Sequence, residues 1–334
     1  MPVKFGIVLP TFYGGAYEDN EPTLLRLTEF AQKVETMSFD GLWVIDHLVV
    51  APPIYRTAWL EPLSVLSAMA SVTKRVKLGT SILVTPIRTP SILAKTLGTM
   101  DYLSNGRIIF GAGIGWWDQE FEVSGVSKKE RGARTEETIE IVNKLLSGPN
   151  ISHSGKFWSF NNVTMVPLPV QKKIPVWFAG GSAAGHANTV YKPQTERVLR
   201  RIARQGDGWI SRAVTNPELM KQDWAHLIEY VKEEGRDPSE ITFAHINFVF
   251  LTAETDKEKE EGRKRFSKIS NMPFEDIKAD YMVGTKPEIL DRLDNLVDLG
   301  VRYFVLWPTG FDYPLLEWLQ DQVLTRYDKV AGLR

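Results

Sequence analysis

Apolar residues in this chain alternate between two spacings from one end to the other. Short, nearly unbroken apolar runs at 3–9, 41–45, 76–84, 174–179, 208–211, 241–251 and 303–307 read as strands buried on both faces. Another begins at Arg107 and runs into the alternating glycines Gly111, Gly113 and Gly115. Between the runs, apolar residues recur at helical spacing, as in Leu24, Leu27, Phe30, Ala31, Val34 and Met37, or Ile139, Val142, Leu145 and Leu146. Pro62, Pro90 and Pro217 open helices, Asn105-Gly106 closes one, and Gly148-Pro149 breaks another.

Eight strand-helix units in succession predict an α/β fold, a closed (β/α)8 TIM barrel rather than an open doubly wound sheet. The spacing predicts one domain over 1–334. Two stretches interrupt the rhythm: an antiparallel excursion at 151–170, and an insertion at 254–280 whose charged helix over 254–268 reads as solvated.

Composition narrows the choice of function. Forty basic residues against 41 acidic ones give a net charge of -1, so no global field favours nucleic acid or an anionic membrane. The absence of cysteine excludes disulfides, thiolate catalysis and Cys-ligated metals. The first apolar run stops at Pro10, and none reaches the roughly 18 residues of a membrane span. A soluble, cytoplasmic protein is expected.

In a (β/α)8 barrel the site is built where the strands end. This chain places there Thr11-Phe12, Asp46-His47, residues 81–85, the glycines followed by Trp116-Trp117, then Gly180-Gly181-Ser182, Ser211-Arg212, and Trp307. Aromatic and glycine-rich, this set suits a large flat ligand better than acid-base hydrolysis. The glycines 111, 113 and 115 remove Cβ atoms from one side of the chain, leaving room for such a ligand. They are not the dinucleotide fingerprint, which needs glycine where Trp116 stands. The five histidines show no metal-ligand spacing, so no metal site is expected, and no Gly-x-Ser-x-Gly elbow is present. Asp46-His47 is the acid-imidazole pair at a strand end.

Taken together, several stretches make the chain similar to the bacterial-luciferase-like family, especially its coenzyme F420-dependent branch. They are Gly-Leu-Trp-Val-Ile-Asp-His at 41–47, Leu-Gly-Thr-Ser-Ile at 78–82, the run from Gly111 to Phe121 with Glu-Arg-Gly-Ala-Arg-Thr-Glu-Glu at 130–137, Gly-Lys-Phe-Trp at 155–158, Pro-Val-Trp-Phe-Ala-Gly-Gly at 175–181, and Gly-Asp-Gly-Trp at 206–209. The resemblance covers nearly the whole chain and implies a flavin-type cofactor, F420 or alternatively FMN, across the barrel mouth. It implies that Asp46 and His47 lie beside the ring, with His47 a proton donor, and that the Ser81-Ile82 bond is cis. It also implies that Gly180 and Gly181 hold the cofactor tail. Around these, Thr85, Gly111, Gly113, Gln119 and Ser182 are candidate cofactor contacts, and Phe12, Trp116, Trp117 and Trp307 the candidate substrate pocket.

Two departures from the family stand out. Trp116 occupies the position where its sugar-phosphate dehydrogenases have a catalytic acid, so a largely apolar substrate is expected. A further insertion, 182–195, separates the Gly-Gly turn from the next helix, and Lys192, Arg197 or Arg201 could reach a polyanionic tail from it. The resemblance implies an oxidoreductase moving a hydride between F420 and a small molecule, and a homodimer. The alternatives are a two-component monooxygenase that uses O₂ and FMN reduced by a separate reductase, and a non-catalytic flavin-binding barrel.

Overall fold

In the computed structural model, which describes residues 2–13, 20–51, 57–182, 193–212, 216–252, 255–270, 273–277 and 281–331, the apolar runs form eight parallel strands. They are β1 (Lys4–Val8), β2 (Gly41–Val44), β3 (Lys77–Thr80), β4 (Ile108–Gly113), β5 (Val176–Ala179), β6 (Gly208–Ser211), β7 (Thr242–Leu251) and β8 (Tyr303–Pro308). Each pairs with the next, and β8 pairs back with β1, so the sheet closes into the expected barrel. Around it run α1 (Leu24–Thr36), α2 (Pro62–Val72), α3 (Pro90–Ser104), α4 (Arg131–Leu145), α5 (Pro193–Gln205), α6 (Pro217–Glu233), α7 (Lys286–Leu299) and α8 (Tyr313–Trp318). Proline in the first turn starts α2, α3, α6 and α7, and Asn105, left-handed at φ 55°, ends α3.

Alternation along the strands separates two buried clusters. Ile7, Leu42, Val44, Leu78, Phe110, Phe178, Phe304 and Leu306 pack outward with the helices. Val8, Trp43, Ile45, Ile109, Trp177, Ile210, Tyr303 and Val305 pack inside the barrel. The barrel floor is aromatic: Trp43 lies 5.3 Å from Trp177 and 5.6 Å from Tyr303, and donates to the Tyr303 hydroxyl at 3.2 Å. Glycines make room for these rings, since a Cβ on Gly6 or Gly79 would come within 2.3 or 2.5 Å of the Trp43 indole.

The excursion after α4 is an antiparallel hairpin, Ile151–Ser154 against Ser159–Val163. Glu137 on α4 anchors its turn by accepting the Phe157 and Trp158 amides at 3.1 and 2.9 Å. Of the insertion expected at 182–195, residues 183–192 lie outside the described residues, and α5 begins at Pro193. The charged helix, Asp256–Ser270, is not simply solvated. It buries Phe266 against Phe248, Phe250 and Tyr281 at 5.7–6.0 Å, because the mouth end of the barrel leaves those rings needing cover. A three-residue strand, Met282–Gly284, pairs in parallel with the end of β7 and was not legible in the sequence. Among the described residues no helix is long and apolar enough to cross a membrane.

Candidate active site

The mouth of the barrel divides into two arcs. Over β3, β4 and β5 the chain carries Ser81, the glycines and the Gly180–Ser182 turn, whereas over β7, β8 and β1 it carries Phe248, Trp307 and Phe12.

On the small-residue arc the Ser81-Ile82 peptide is cis, and Leu83 and Val84 pair with Ala112 and Gly113. The glycines of β4 serve this bulge. A Cβ on Gly111 would stand 1.7 Å from the Thr80 carbonyl, and one on Gly113 would stand 1.9 Å from Ile82 Cδ1. The expectation that these glycines leave bare space is therefore corrected: Thr80 and Ile82 fill it, and a ligand on this arc meets Ile82 before it meets Gly113. Gly115 turns the chain out of the strand at φ +69°.

Asp46 braces the same bulge from behind. Its Oδ2 accepts the Val84 amide at 2.8 Å and Arg88 at 2.9 Å, and Arg88 also binds Glu61 at 2.9 Å. Burial pushes the Asp46 carboxyl up, against the opposing pull of Arg88 and the Val84 amide. Thr85 is fully buried and donates to the Leu83 carbonyl at 3.2 Å.

The carboxylate next to the His47 ring is Glu120, which sequence reasoning did not single out. Glu120 Oε1 lies 3.2 Å from His47 Nδ1 and accepts the Leu48 amide at 2.8 Å. It stands on the one-turn helix Asp118–Val123, where Glu120 is fully buried and its neighbour Gln119 is exposed. So short a helix gives no periodicity from which its inward face could be read.

The imidazole is also bracketed by Trp59 and Trp116, at 5.8 and 5.9 Å between centroids. Trp59 lies on Ala58–Trp59, a short strand paired with Phe12–Tyr13, and touches Phe12 and Trp307 at 5.3 and 5.6 Å. Phe248 stacks on Trp307 at 3.9 Å. Trp117 meets Trp116 at 5.5 Å, and Trp116 is 40% exposed at the rim. The structure thus joins Phe12, Trp116, Trp117, Trp307 and His47 through Trp59.

At the end of β5, Gly180 and Gly181 turn with positive φ. The Gly180 amide binds the Ile210 carbonyl at 3.3 Å. Ser182 gives its amide and hydroxyl to the buried Asp223 of α6 at 2.6 and 2.8 Å. Arg201 is buried and paired with Glu136 at 2.9 Å, Arg197 is exposed, and Lys192 lies outside the described residues.

Thr11 Oγ1, Ser81 Oγ, Glu120 Oε2, Trp117 Nε1 and Trp307 Nε1 are buried polar atoms without a hydrogen-bond partner among the described residues. Such atoms are rare in folded proteins unless something bound completes them. Grouped on residues of this mouth, they fit a polar-edged ring placed there.

A closed parallel barrel whose mouth sets an imidazole-carboxylate pair between a small-residue arc and an aromatic arc places this chain among the (β/α)8 barrels that carry their site where the strands end. The model of the luciferase-like monooxygenase family matches residues 3–303, and the chain belongs to that family. An F420-dependent glucose-6-phosphate dehydrogenase of Amycolatopsis mediterranei is 27% identical over 339 aligned positions, covering 91% of this chain and 92% of its own. An F420-dependent secondary alcohol dehydrogenase solved with an F420-acetone adduct shares the fold at TM-score 0.78 and 20% identity, over 97% of this chain and 98% of its own. A coenzyme F420-dependent tetrahydromethanopterin reductase from Methanopyrus kandleri does so at TM-score 0.73 and 19% identity, over 98% of this chain and all of its own.

Proposed function

We propose that this protein moves a hydride between coenzyme F420 and a largely apolar small molecule. The observation that carries the reading is the His47-Glu120 pair, set between an arc of small residues and an arc of aromatic ones. The F420-dependent relative matched over nine-tenths of both chains supports the choice of cofactor.

On this reading Ser81 and Ile82 hold the cofactor ring from one side, Gly111 and Gly113 let that bulge pack against β4, and Thr85 and Asp46 support it. The Gly180–Ser182 turn takes the tail. When bound, a deazaflavin supplies the ring carbon that carries the hydride. A hydride moved to or from a carbonyl or alkene leaves one proton to place, and imidazole is the side chain whose ordinary pKa lies near neutrality. Glu120 fixes the His47 ring through Nδ1, so proton exchange with substrate falls to Nε2. Asp46 acts through the bulge, as a positioning residue.

The substrate pocket is formed by Phe12, Trp116, Trp117 and Trp307, joined by Trp59. A tryptophan at 116 suits an apolar or conjugated substrate and not a sugar phosphate, in contrast to the relative's name. With this reading go a cytoplasmic location, a homodimer, and a separate F420 or flavin reductase. Sedimentation of the purified protein checks the dimer.

The test is a fluorescence titration with F420 and with FMN, followed by oxidation of each reduced cofactor with and without O₂. F420 binding and oxygen-independent turnover are expected. Oxidation of reduced FMN that requires O₂, with no response to F420, would overturn the proposal in favour of a two-component monooxygenase.

A further inference from the structure

The Gly180–Ser182 turn already holds an anion, and it is part of the chain. Asp223 Oδ2 accepts the Ser182 amide at 2.6 Å, and Oδ1 accepts the Ser182 hydroxyl at 2.8 Å. The carboxylate is fully buried. A Cβ on Gly181 would stand 2.8 Å from its Oδ2, so that glycine leaves room for the carboxylate to approach. From behind, Trp209 Nε1 holds the Gly180 carbonyl at 2.9 Å and keeps the turn in place. Successive amides in such a turn make a concavity suited to an anion. Here two of its three amides have partners, the Ile210 carbonyl and Asp223.

We propose that Asp223 selects the cofactor by the charge on its phosphate, admitting a singly charged phosphodiester such as that of F420 and rejecting the doubly charged monoester of FMN. This rests on the reading that places the cofactor tail at the turn. A fixed negative charge beside the seat repels a second phosphate charge as strongly as the first, so the monoester meets about twice the penalty of the diester. The charges of His226 and Arg212 also act on Asp223. Burial pushes the Asp223 carboxyl up, and its bonds from Ser182 oppose that rise.

The experiment compares FMN with riboflavin, and F420 with its phosphate-free core, by fluorescence titration on the wild type and on Asp223→Asn. The first pair isolates the contribution of the phosphate, and the second removes the whole phosphodiester tail, whose carboxylates lie several bonds beyond the phosphate. In the wild type FMN binds no better than riboflavin, and Asp223→Asn improves FMN relative to riboflavin by about tenfold or more, given partial screening. The corresponding gain for F420 over its core is several times smaller. A wild type that prefers FMN to riboflavin, an FMN-to-riboflavin ratio unmoved by Asp223→Asn, or an equal gain for F420 would overturn the proposal.

A second measurement needs no variant. The phosphate of FMN takes up its second proton at a pH of about 6, whereas the diester of F420 keeps one charge throughout. Lowering the pH from 8 to 5.5 should strengthen wild-type binding of FMN relative to riboflavin severalfold. F420 relative to its core reports any change in the charge of the seat itself and should change less. A flat or falling FMN ratio counts against the proposal. Failure of F420 to bind the wild type at all sinks the cofactor reading, whereas a phosphate contribution indifferent to Asp223 sinks this one.

Discussion

Glu120 Oε1 lies 3.2 Å from His47 Nδ1 and 2.8 Å from the Leu48 amide, so one buried carboxylate grips a ring and also the backbone next to it. Removing the ring and removing the grip should therefore have different signatures. His47→Ala should lower turnover by about 10²-fold or more with little change in cofactor affinity, since general acid-base catalysis contributes 10²–10⁴. Glu120→Gln keeps an acceptor for Leu48 but loses the charge, and should cost less than His47→Ala while moving the pH profile. Steady-state rates across pH check both, and unchanged rates would reduce the pair to packing.

Removing Arg88 leaves Asp46 buried with its Val84 amide but without its cation. Breaking such a pair typically costs about 3–5 kcal/mol. Arg88→Met should show a loss toward the lower end of that range, because the Arg88 side chain is 20% exposed. Urea unfolding measures it, and cofactor affinity should fall with it as the bulge at Ser81-Ile82 loosens.

Behind the barrel wall, His245 Nδ1 lies 2.9 Å from Ser211 Oγ, and its Nε2 lies 3.1 Å from Asn247 Nδ2. Burial pushes this imidazole down from 6.5 to about 3, so it is neutral in the folded protein. The unfolded chain takes up the proton first, so stability rises with pH and is lost as pH falls from 6.5 toward 3. Between pH 7 and 5 the loss from this group should be about 2 kcal/mol. His245→Gln should flatten the acid limb of stability over that window, as read by urea midpoints at each pH.

Gly113→Ala pushes a methyl into Ile82 and should destabilise the protein by roughly 1–3 kcal/mol, the usual cost of overpacking. Adding Ile82→Ala should recover part of that loss, and a double-mutant cycle reads the coupling. Independent, additive effects would mean that the bulge yields elsewhere.

Much of the architecture was legible because its signals are local. Barrel strands buried on both faces appear as apolar runs, Pro62, Pro90 and Pro217 mark helix starts, and Asn105-Gly106 marks a stop. His47 was legible because it follows a strand. What escaped depends on distance along the chain. Glu120 is 73 positions from His47, and Asp223 is 41 from Ser182. Phe266 looked like one apolar residue in a charged helix until the rings of Phe248 and Phe250 gave it a partner. The β4 glycines were visible, but their reason was not, because it lies in side chains of the neighbouring strand and bulge.

The aromatic floor has a kinetic consequence. With Trp43, Trp177 and Tyr303 stoppering one end, the barrel is a vessel with one opening, and whatever reacts inside must arrive and leave through it. On that geometry the partner seated deeper enters first and leaves last. Initial-rate patterns should show an ordered sequence, with the outer reactant at high concentration trapping the inner one.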